Sequence, residues 1–421
     1  MKIIILGAGI IGITSAWFLN KEGHKIIIID RQSGVAQETS FANGCQISES
    51  NSEPWSNPLT PFKILKWINK KNSPIYIKMK LKTFKFKWIK NFLNECFPFK
   101  TVNNCKQILS LCQYSKKILK ILRKKTNINY DHLKNGILKL YTKEEDFKSS
   151  IPIINLMNDL GCKRKILNIQ DILNIEPSLK NNKKNFFCGD FTNSDESGNI
   201  YKMAIKLTKI LKKKGVIFNF NTTITKIIKK KKYINKIETI NKLGFYKNFK
   251  ADIYLITAGI NSKFLLKPIG INLLMYPIKG YSATYKIINF KKTPNISIID
   301  DKYKLVISRL KNKLRIAGIC ELNGYLTREL NKKKCEFLTK RIKKLFPKAC
   351  NYKKPKYWAG IRPLTPTNIP YIGKTKFKNL FLNTGHGALG WTMSFGSGFA
   401  ISEIISNRLP NINFNFLGIK K

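Results

Sequence analysis

The first thirty residues constrain the fold more than any other part of the chain. From Lys2 to Arg31 they read KIIILGAGIIGITSAWFLNKEGHKIIIIDR. The initial apolar, β-branched run predicts a strand buried on both faces, and the glycine-rich turn after it leads into an apolar-periodic helix. A second apolar run ends at Asp30. The order of strand, turn, helix and strand predicts the first unit of a doubly wound α/β sheet.

Three glycines in this turn suit a bound dinucleotide. Gly7 allows the tight turn, Gly9 lets backbone amides approach a pyrophosphate, and Gly12 brings the helix close to the sheet. The helix N-terminus stabilises the diphosphate charge. Asp30, 21 residues after Gly9, is placed to accept hydrogen bonds from a ribose and argues against NADP. NAD and FAD both remain compatible, as does an ordinary βαβ unit whose glycines only pack.

The charge of the chain, formally +54, raises the question of a polyanionic partner. The basic residues comprise 69 Lys and only 9 Arg, spread over the whole length. Phosphate and base recognition favours the planar guanidinium of Arg, so unpatterned Lys predicts solvated faces. We therefore expect no nucleic acid partner, and a role in RNA binding stays an alternative.

The number and spacing of the cysteines and histidines indicate whether the chain can form disulfides or a metal site, and in which redox compartment it works. The nine Cys include no CxxC pair, and the chain has three scattered His. We therefore expect a reducing compartment, the cytoplasm, with no disulfide framework and no metal site. The apolar run Ile3–Asn20 contains three glycines and is followed by no cleavage site, which argues against a signal peptide or membrane span.

The stretch 61–100 is rich in Lys and aromatic residues and has two interpretations. Its spacing fits ordinary helices and strands with Lys outside, and it also fits an interfacial patch on the cytoplasmic face of the inner membrane. A helix is predicted from about 103 to 125, and another from about 201 that stops at Gly215.

Later segments return to the nucleotide-binding sheet and leave it again. The strand Ile253–Thr257 ends in Ala258-Gly259, where small residues let backbone pass close to a nucleotide. Segments between 276 and 322 alternate with period two and predict an antiparallel sheet, with a hairpin turn near Lys311-Asn312.

A second glycine-rich turn lies near the C-terminus, in NTGHGALGWT at 383–392. The strand Leu380–Asn383 precedes it and a helix is predicted to start near 388. This arrangement points a second helix N-terminus at a ligand. A flavin ring would benefit, because the helix dipole and free amides stabilise the negative charge of its reduced form. A simple packing turn is the alternative.

Taken in order, these motifs resemble the FAD-dependent D-amino acid oxidase superfamily. The resemblance rests on the first turn with Asp30 and on ETSFANGCQIS, LITAG, YPIKGYS, GIRPLTPTNIPYIG and NTGHGALGWTMSFGSG, which cover nearly the whole chain. Within the superfamily they are most similar to the small subunits of the bacterial D-amino acid dehydrogenases.

The resemblance implies a fold in two discontinuous domains. A Rossmann-like FAD-binding domain would comprise 1–60, 190–270 and 356–421. An α+β substrate-binding domain built on an antiparallel sheet would comprise 61–189 and 271–355.

It also implies site residues. Arg362, in G-I-R-P, would grip the substrate carboxylate, with Tyr281 and His386 as pocket walls or packing residues. The FAD-binding set would be Ile3, Ile4, Ile5, Leu6, Gly7, Ala8, Gly9, Ile10, Ile11, Gly12, Ile13, Thr14, Ser15, Ala16, Trp17, Asp30, Arg31, Thr39, Ser40, Asn43, Gly44, Ile224, Ala258, Gly259, Gly385, Gly387, Leu389 and Gly390.

The activity implied is oxidation of a D-amino acid, D-alanine above all, by hydride transfer to FAD. The resulting imino acid hydrolyses to a 2-oxo acid and ammonium, and the electrons pass to a non-oxygen acceptor such as a quinone. The C-terminal turn contains no Cys, so the FAD is expected to be non-covalent. Cys45 departs from the small residue expected beside Gly44 and puts the tightness of that flavin contact in doubt. An oxygen-dependent glycine or sarcosine oxidase is the alternative within the superfamily.

Overall fold

The computed structural model describes residues 1–67, 75–77, 83–322, 324 and 326–419. The N-terminal strand lies inside a six-stranded sheet, here called the nucleotide sheet, which is parallel except at one edge. Its strands, in spatial order, are Tyr371–Lys374, Leu380–Thr384, Ile253–Ile256, Lys2–Leu6, Lys25–Ile29 and Ile217–Asn219. The predicted Rossmann-like sheet is confirmed.

The strand Lys2–Leu6 supplies apolar side chains to both faces of the nucleotide sheet. Ile3 and Ile5 pack among helices on one face, whereas Ile4 and Leu6 pack toward a three-stranded sheet on the other. All four side chains are fully buried. Each such burial stabilises the fold by roughly 1.5–3 kcal/mol. The strands of the three-stranded sheet are Thr222–Lys230, Tyr233–Asn241 and Tyr246–Phe249.

A nine-stranded, mostly antiparallel sheet, here called the large sheet, forms the second domain. Its main path is Lys356–Leu364, Tyr276–Lys286, Lys313–Leu322, Leu305–Leu310, Ser297–Asp300, Ile137–Tyr141, Cys188–Thr192 and Lys165–Leu167, and Ile75–Ile77 pairs with Lys313–Leu322. The predicted hairpin turn is confirmed: Leu310 pairs with Lys313, and Lys311 has a φ of 53°. A small two-stranded sheet joins Gln46–Ile47 to Glu196–Ser197.

Strand pairing joins two segments near predicted domain boundaries to the large sheet. The strand Lys356–Leu364, which we placed in the FAD-binding domain, pairs along its length with Tyr276–Lys286 of the large sheet. The strand Cys188–Thr192 crosses the predicted boundary at 190 and pairs within the same sheet. Both segments lead directly into nucleotide-domain elements, so sequence position alone did not separate them.

Helices cover the nucleotide sheet and one face of the large sheet. The described α-helices are Ile10–Lys21, Thr60–Trp67, Thr83–Asn94, Pro98–Thr126, Glu144–Lys148, Ile151–Asp159, Ile169–Ile175, Ile200–Lys213, Ser262–Leu266, Lys332–Leu345 and Gly390–Ile405, and the 3-10 helices are Pro177–Asn185, Gly259–Asn261, Lys267–Ile269 and Phe290–Lys292. Among the described residues, no helix has the length and apolar composition needed to cross a bilayer. Part of the predicted interfacial stretch, 68–74 and 78–82, lies outside the described residues.

Candidate functional site

Four strands of the nucleotide sheet end at one cavity of about 390 Å³, namely Lys2–Leu6, Lys25–Ile29, Ile253–Ile256 and Leu380–Thr384. This volume lies within the range of small-molecule sites. Side-chain hydrogen bonds hold the strand ends together: Thr257 Oγ1 donates to the carbonyl oxygens of Leu6 (3.0 Å) and Gly7 (2.9 Å). Asn383 Nδ2 donates to Ser15 Oγ (3.0 Å). The N-terminal turn and the C-terminal turn therefore face the same space.

The N-terminal turn needs its glycines for packing. Gly7 has a φ of +117°, and a Cβ there would lie 2.8 Å from the Thr257 carbonyl oxygen. A Cβ on Gly12 would lie 2.0 Å from the Gly7 carbonyl oxygen. The helix then begins after Gly9, which offers no side-chain cap, and Ser40 Oγ accepts a hydrogen bond from the Ile10 amide (3.2 Å) while the next amides have no side-chain acceptor among the described residues. Its N-terminus is thus open to an anionic ligand, as the sequence predicts.

Asp30 lines the cavity and also fixes the turn. Its Oδ2 accepts a hydrogen bond from the Ala8 amide (2.6 Å), and its Oδ1 accepts one from the Gln32 amide (2.8 Å). Burial raises the pKa of Asp30, and the two amide bonds oppose that rise. The carboxylate therefore has a structural task besides the ribose contact predicted for it.

The C-terminal turn is a tight connection between strand and helix. Gly385 and Gly387 have φ values of 86° and 54°, and the Gly387 amide donates to the Pro363 carbonyl oxygen (3.1 Å). His386 lies between them, with Nε2 3.1 Å from Ser397 Oγ. Burial lowers the pKa of His386 to about 3, so its imidazole is neutral at physiological pH.

Arg362 enters the cavity from the large sheet. It pairs with Ile278 on the neighbouring strand, and its guanidinium lies over Gly280, where a Cβ would be only 2.5 Å from Nη2. Its Nη1 is 3.5 Å from both the Ile319 carbonyl oxygen and Cys320 Sγ, at the outer limit of hydrogen bonding. No ion pair joins Arg362 to any carboxylate in the described part of the chain.

Tyr281 is not among the residues that line the cavity, and its position fits the packing role that the sequence analysis gave as the alternative to a pocket wall. Successive residues of a strand point to opposite faces, so Tyr281 faces away from the side that Gly280 leaves to Arg362. Its ring packs in the core between the large sheet and the helix Lys332–Leu345. Its hydroxyl donates to Glu321 Oε2 (2.7 Å).

The predicted cofactor residues divide into those that line the cavity and those that support it. The lining members are Gly7, Gly9, Ile10, Ile11, Asp30, Arg31, Thr39, Ser40, Asn43, Ile224, Ala258, Gly259, Gly385, Gly387 and Gly390. The supporting members are Ile3, Ile4, Ile5, Leu6, Ala8, Gly12, Ile13, Thr14, Ser15, Ala16, Trp17, Gly44 and Leu389. The supporting residues lie in the strand, helix or turn interiors. Their apolar side chains pack there, the glycines allow close approach of neighbouring atoms, and the Thr14 and Ser15 hydroxyls donate to carbonyl oxygens.

The loop 38–48 also contacts the second domain. A Cβ on Gly44 would lie 2.3 Å from Val306 Cγ2, and the Gly44 carbonyl accepts a bond from Ser308 Oγ (2.8 Å). Cys45 is fully buried with Sγ 3.2 Å from Arg315 Nη1, outside the lining of the cavity. Cys45 therefore packs against the second domain. Its position outside the cavity lining gives no reason to expect a looser contact between the flavin and Gly44.

Several lining residues were missed by the sequence analysis. Arg328 lines the cavity from the loop after Lys313–Leu322 and donates to the Gln37 carbonyl oxygen (2.8 Å). The scarcity of Arg could have singled it out. Asn383 and Trp391 also line the cavity, and within the described residues Asn383 Oδ1 and Trp391 Nε1 are buried without a hydrogen-bond partner. Because both atoms belong to residues of the cavity lining, a bound ligand or water could satisfy them.

The fold and the two turns define a flavoprotein oxidoreductase. The family described as FAD dependent oxidoreductase (DAO) matches residues 2–404, and the chain belongs to this family. FAD is its cofactor.

Two relatives of the chain are D-amino acid dehydrogenases. The protein of Dechloromonas aromatica (strain RCB) is 41% identical over 417 residues, covering 99% of this chain and 100% of the relative. That of Vibrio atlanticus (strain LGP32) is 36% identical over 423 residues, covering 100% of both.

Solved structures agree in fold at lower identity. L-proline dehydrogenase from P. horikoshii has a TM-score of 0.74 at 15% identity, covering 98% of this chain and 94% of its own. Glycine oxidase from Geobacillus kaustophilus has a TM-score of 0.73 at 18% identity, covering 98% and 96%. At these identities the likeness shows the fold alone.

The residues present fit FAD. The open N-terminus of the helix Ile10–Lys21 can receive a diphosphate, and the orphaned Asn383 Oδ1 and Trp391 Nε1 can bond polar edges of a ring. The second helix, Gly390–Ile405, likewise begins without a side-chain cap. No Cys of the described chain lines the cavity.

Proposed function

We propose that the chain oxidises D-amino acids to 2-oxo acids and ammonium, with D-alanine as a substrate and a non-oxygen electron acceptor. The observation that carries the proposal is Arg362, a guanidinium at the cavity with no carboxylate partner in the described chain. The full-length similarity to two D-amino acid dehydrogenases supports the same reaction.

Arg362 would bind the substrate carboxylate through two parallel N–H···O bonds. This contact would orient Cα, and bound FAD would supply the two-electron acceptor that takes the Cα hydride. The imino acid that results would react with water to give the 2-oxo acid and ammonium. The substrate carboxylate would thus fix the position of the reacting carbon.

The lining side chains do not include a strong base for the amine. His386 is a weak base because burial lowers its pKa to about 3. Asp30 accepts two amide bonds, and Glu38 accepts bonds from Arg31 and Gln32. The amine therefore has to enter the site neutral, so catalysis would rest on positioning and on the cofactor.

A quinone at the membrane surface is the acceptor we propose. The helix Thr83–Asn94 packs beside the site: Trp88 Nε1 donates to the Leu364 carbonyl oxygen (3.0 Å), and its ring lies 5.1 Å from that of Tyr276. Exposed Lys87 and Lys90 on this helix would favour an anionic bilayer. The exposed large apolar side chains between 59 and 100 are Leu59, Phe62, Leu65, Phe86, Leu93, Phe97 and Phe99.

Anaerobic mixing of the holoenzyme with D-alanine, L-alanine, glycine and sarcosine tests the reaction. We expect D-alanine to bleach the flavin absorbance and L-alanine to leave it unchanged. The reduced enzyme should then be reoxidised faster by a short-chain ubiquinone than by air. Faster reduction by glycine or sarcosine, with rapid reoxidation by air, would contradict the proposal and favour an amine oxidase.

Co-sedimentation with vesicles tests the membrane contact separately. We expect binding to vesicles containing phosphatidylglycerol, and loss of that binding in Phe62→Ser/Leu65→Ser. The control pair Leu243→Ser/Phe245→Ser removes equally exposed apolar side chains from the three-stranded sheet. Equal loss in both pairs, or no binding by the unchanged protein, would contradict a membrane contact at this segment.

A further inference from the structure

A second cavity, of about 1030 Å³, lies outside the cofactor site. Six of its fifteen lining residues are Lys or Arg, against 78 of 421 in the whole chain. The positive charge is therefore concentrated here about twofold beyond the general excess of lysine. We call this space the basic cavity.

The basic residues converge on this cavity from four separate segments. Lys120 and Lys124 lie on the helix Pro98–Thr126, Lys134 on the loop that follows, Lys202 on the helix Ile200–Lys213, and Lys311 at the hairpin turn of the large sheet. Charges that only compensate one helix C-terminus would come from a single helix end. The convergence of four segments instead forms a concave cationic surface.

The two acids of the lining are already neutralised within the protein. Asp131 accepts a bond from Lys202 Nζ (2.6 Å), and Glu196 forms a two-bond ion pair with Arg123. No described carboxylate forms an ion pair with Lys120, Lys124, Lys134 or Lys311. The cavity thus carries a net positive charge that faces an open volume large enough for a small metabolite.

Arg123 connects this cavity to the cofactor site. It also donates to Tyr130 Oη (3.0 Å), and the fully buried Tyr130 ring packs edge-on against Trp391, with centroids 6.0 Å apart. Trp391 lines the cofactor cavity. Glu196, the ion-pair partner of Arg123, pairs with Ile47 in the two-stranded sheet, at the end of the loop 38–48.

We propose that the basic cavity binds a small organic or inorganic molecule with two or more negative groups, carboxylates or phosphates. Such an anion would compete with Glu196 for Arg123. The competition would shift both the Tyr130–Trp391 contact and the loop 38–48, so occupancy would alter the surroundings of the flavin. This proposal does not depend on which amine the enzyme oxidises.

Calorimetric titration of the holoenzyme with citrate and with pyrophosphate, at ionic strength fixed by KCl, tests the site. We expect saturable binding of at least one probe, with a change in the flavin absorbance spectrum at the same concentrations. Lys124→Glu/Lys134→Glu should weaken binding about tenfold, because two attractive contacts become repulsive.

The matched control is Lys125→Glu/Lys163→Glu, which makes the same change in net charge at exposed positions outside the cavity. We expect it to bind nearly as the unchanged protein does. Equal weakening in both pairs would show general electrostatic attraction and overturn the proposal. No saturable binding of either probe would overturn it as well. A preference between citrate and pyrophosphate would identify which anionic group the site favours.

Discussion

Replacing Arg362 by Lys separates the shape of this side chain from its charge. The guanidinium has only two contacts at 3.5 Å and no ion pair in the described chain, so the native fold gains little from it. A carboxylate gripped by two N–H groups would lose one of them in Arg362→Lys. We expect substrate binding to weaken by roughly 1–3 kcal/mol, which is about fivefold to 150-fold in the dissociation constant.

Anaerobic rapid mixing measures this effect directly. The rate of flavin reduction is followed against D-alanine concentration, and half-saturation reports substrate affinity. Arg309→Lys is the matched control, because Arg309 lies on another strand of the large sheet and outside the cavity. FAD content should be the same in all three proteins. Unchanged affinity in Arg362→Lys, together with lower thermal stability, would refute the carboxylate role.

Further predictions concern the support of the site and its cofactor. Gly280→Ala should weaken D-alanine binding without changing charge, because the new Cβ would lie 2.5 Å from Arg362 Nη2; unchanged half-saturation in the same assay would contradict this. Asp30→Ala should weaken FAD binding by roughly 1–3 kcal/mol, measured by fluorescence titration of the apoprotein; an unchanged dissociation constant would limit Asp30 to holding the turn. Acid precipitation should release all flavin into the supernatant, and flavin in the pellet would mean a covalent link. His386 has a pKa lowered to about 3 from 6.5, so unfolding takes up a proton between these values and stability should fall as pH drops from 6.5. The variant His386→Asn should show a shallower fall in melting temperature over that range, and an equal slope would assign the effect elsewhere.

Much of the cofactor site could be predicted because local rules determine it. The turn at Gly7–Gly12 requires particular backbone angles and close packing, and these requirements are visible as glycines at fixed spacing. The position of Asp30 at the cavity could be predicted because Asp30 comes directly after the end of a strand. The pattern extends less well to neighbouring positions: Ile13 and Trp17 belong to the same helix but face the core.

The position of Tyr281 and the border at 356 could not be predicted in this way. Which face a strand residue occupies depends on the register of its partners, and the pairing of Lys356–Leu364 with Tyr276–Lys286 spans about seventy residues of chain. Arg328 reaches the cavity from a loop, and a loop has no hydrophobic periodicity from which the direction of a side chain could be predicted. The basic cavity is formed by four segments that are distant in sequence. In each segment alone, the lysines resemble those of an ordinary solvated surface.

The central place of Lys2–Leu6 in the nucleotide sheet has a consequence for the newly made chain. Its partner Lys25–Ile29 is made soon after it, but its other neighbour Ile253–Ile256 follows about 250 residues later and the next strand, Leu380–Thr384, about 375 residues later. At 5–20 residues per second the first interval is on the order of 12–50 s and the second on the order of 19–75 s. Until Ile253–Ile256 is made, one edge of this apolar strand lacks its permanent partner, and until the second glycine-rich turn is made the cofactor lacks that part of its binding surface. FAD therefore joins the chain after the second glycine-rich turn has been made, and truncation before that turn would yield a protein without its cofactor.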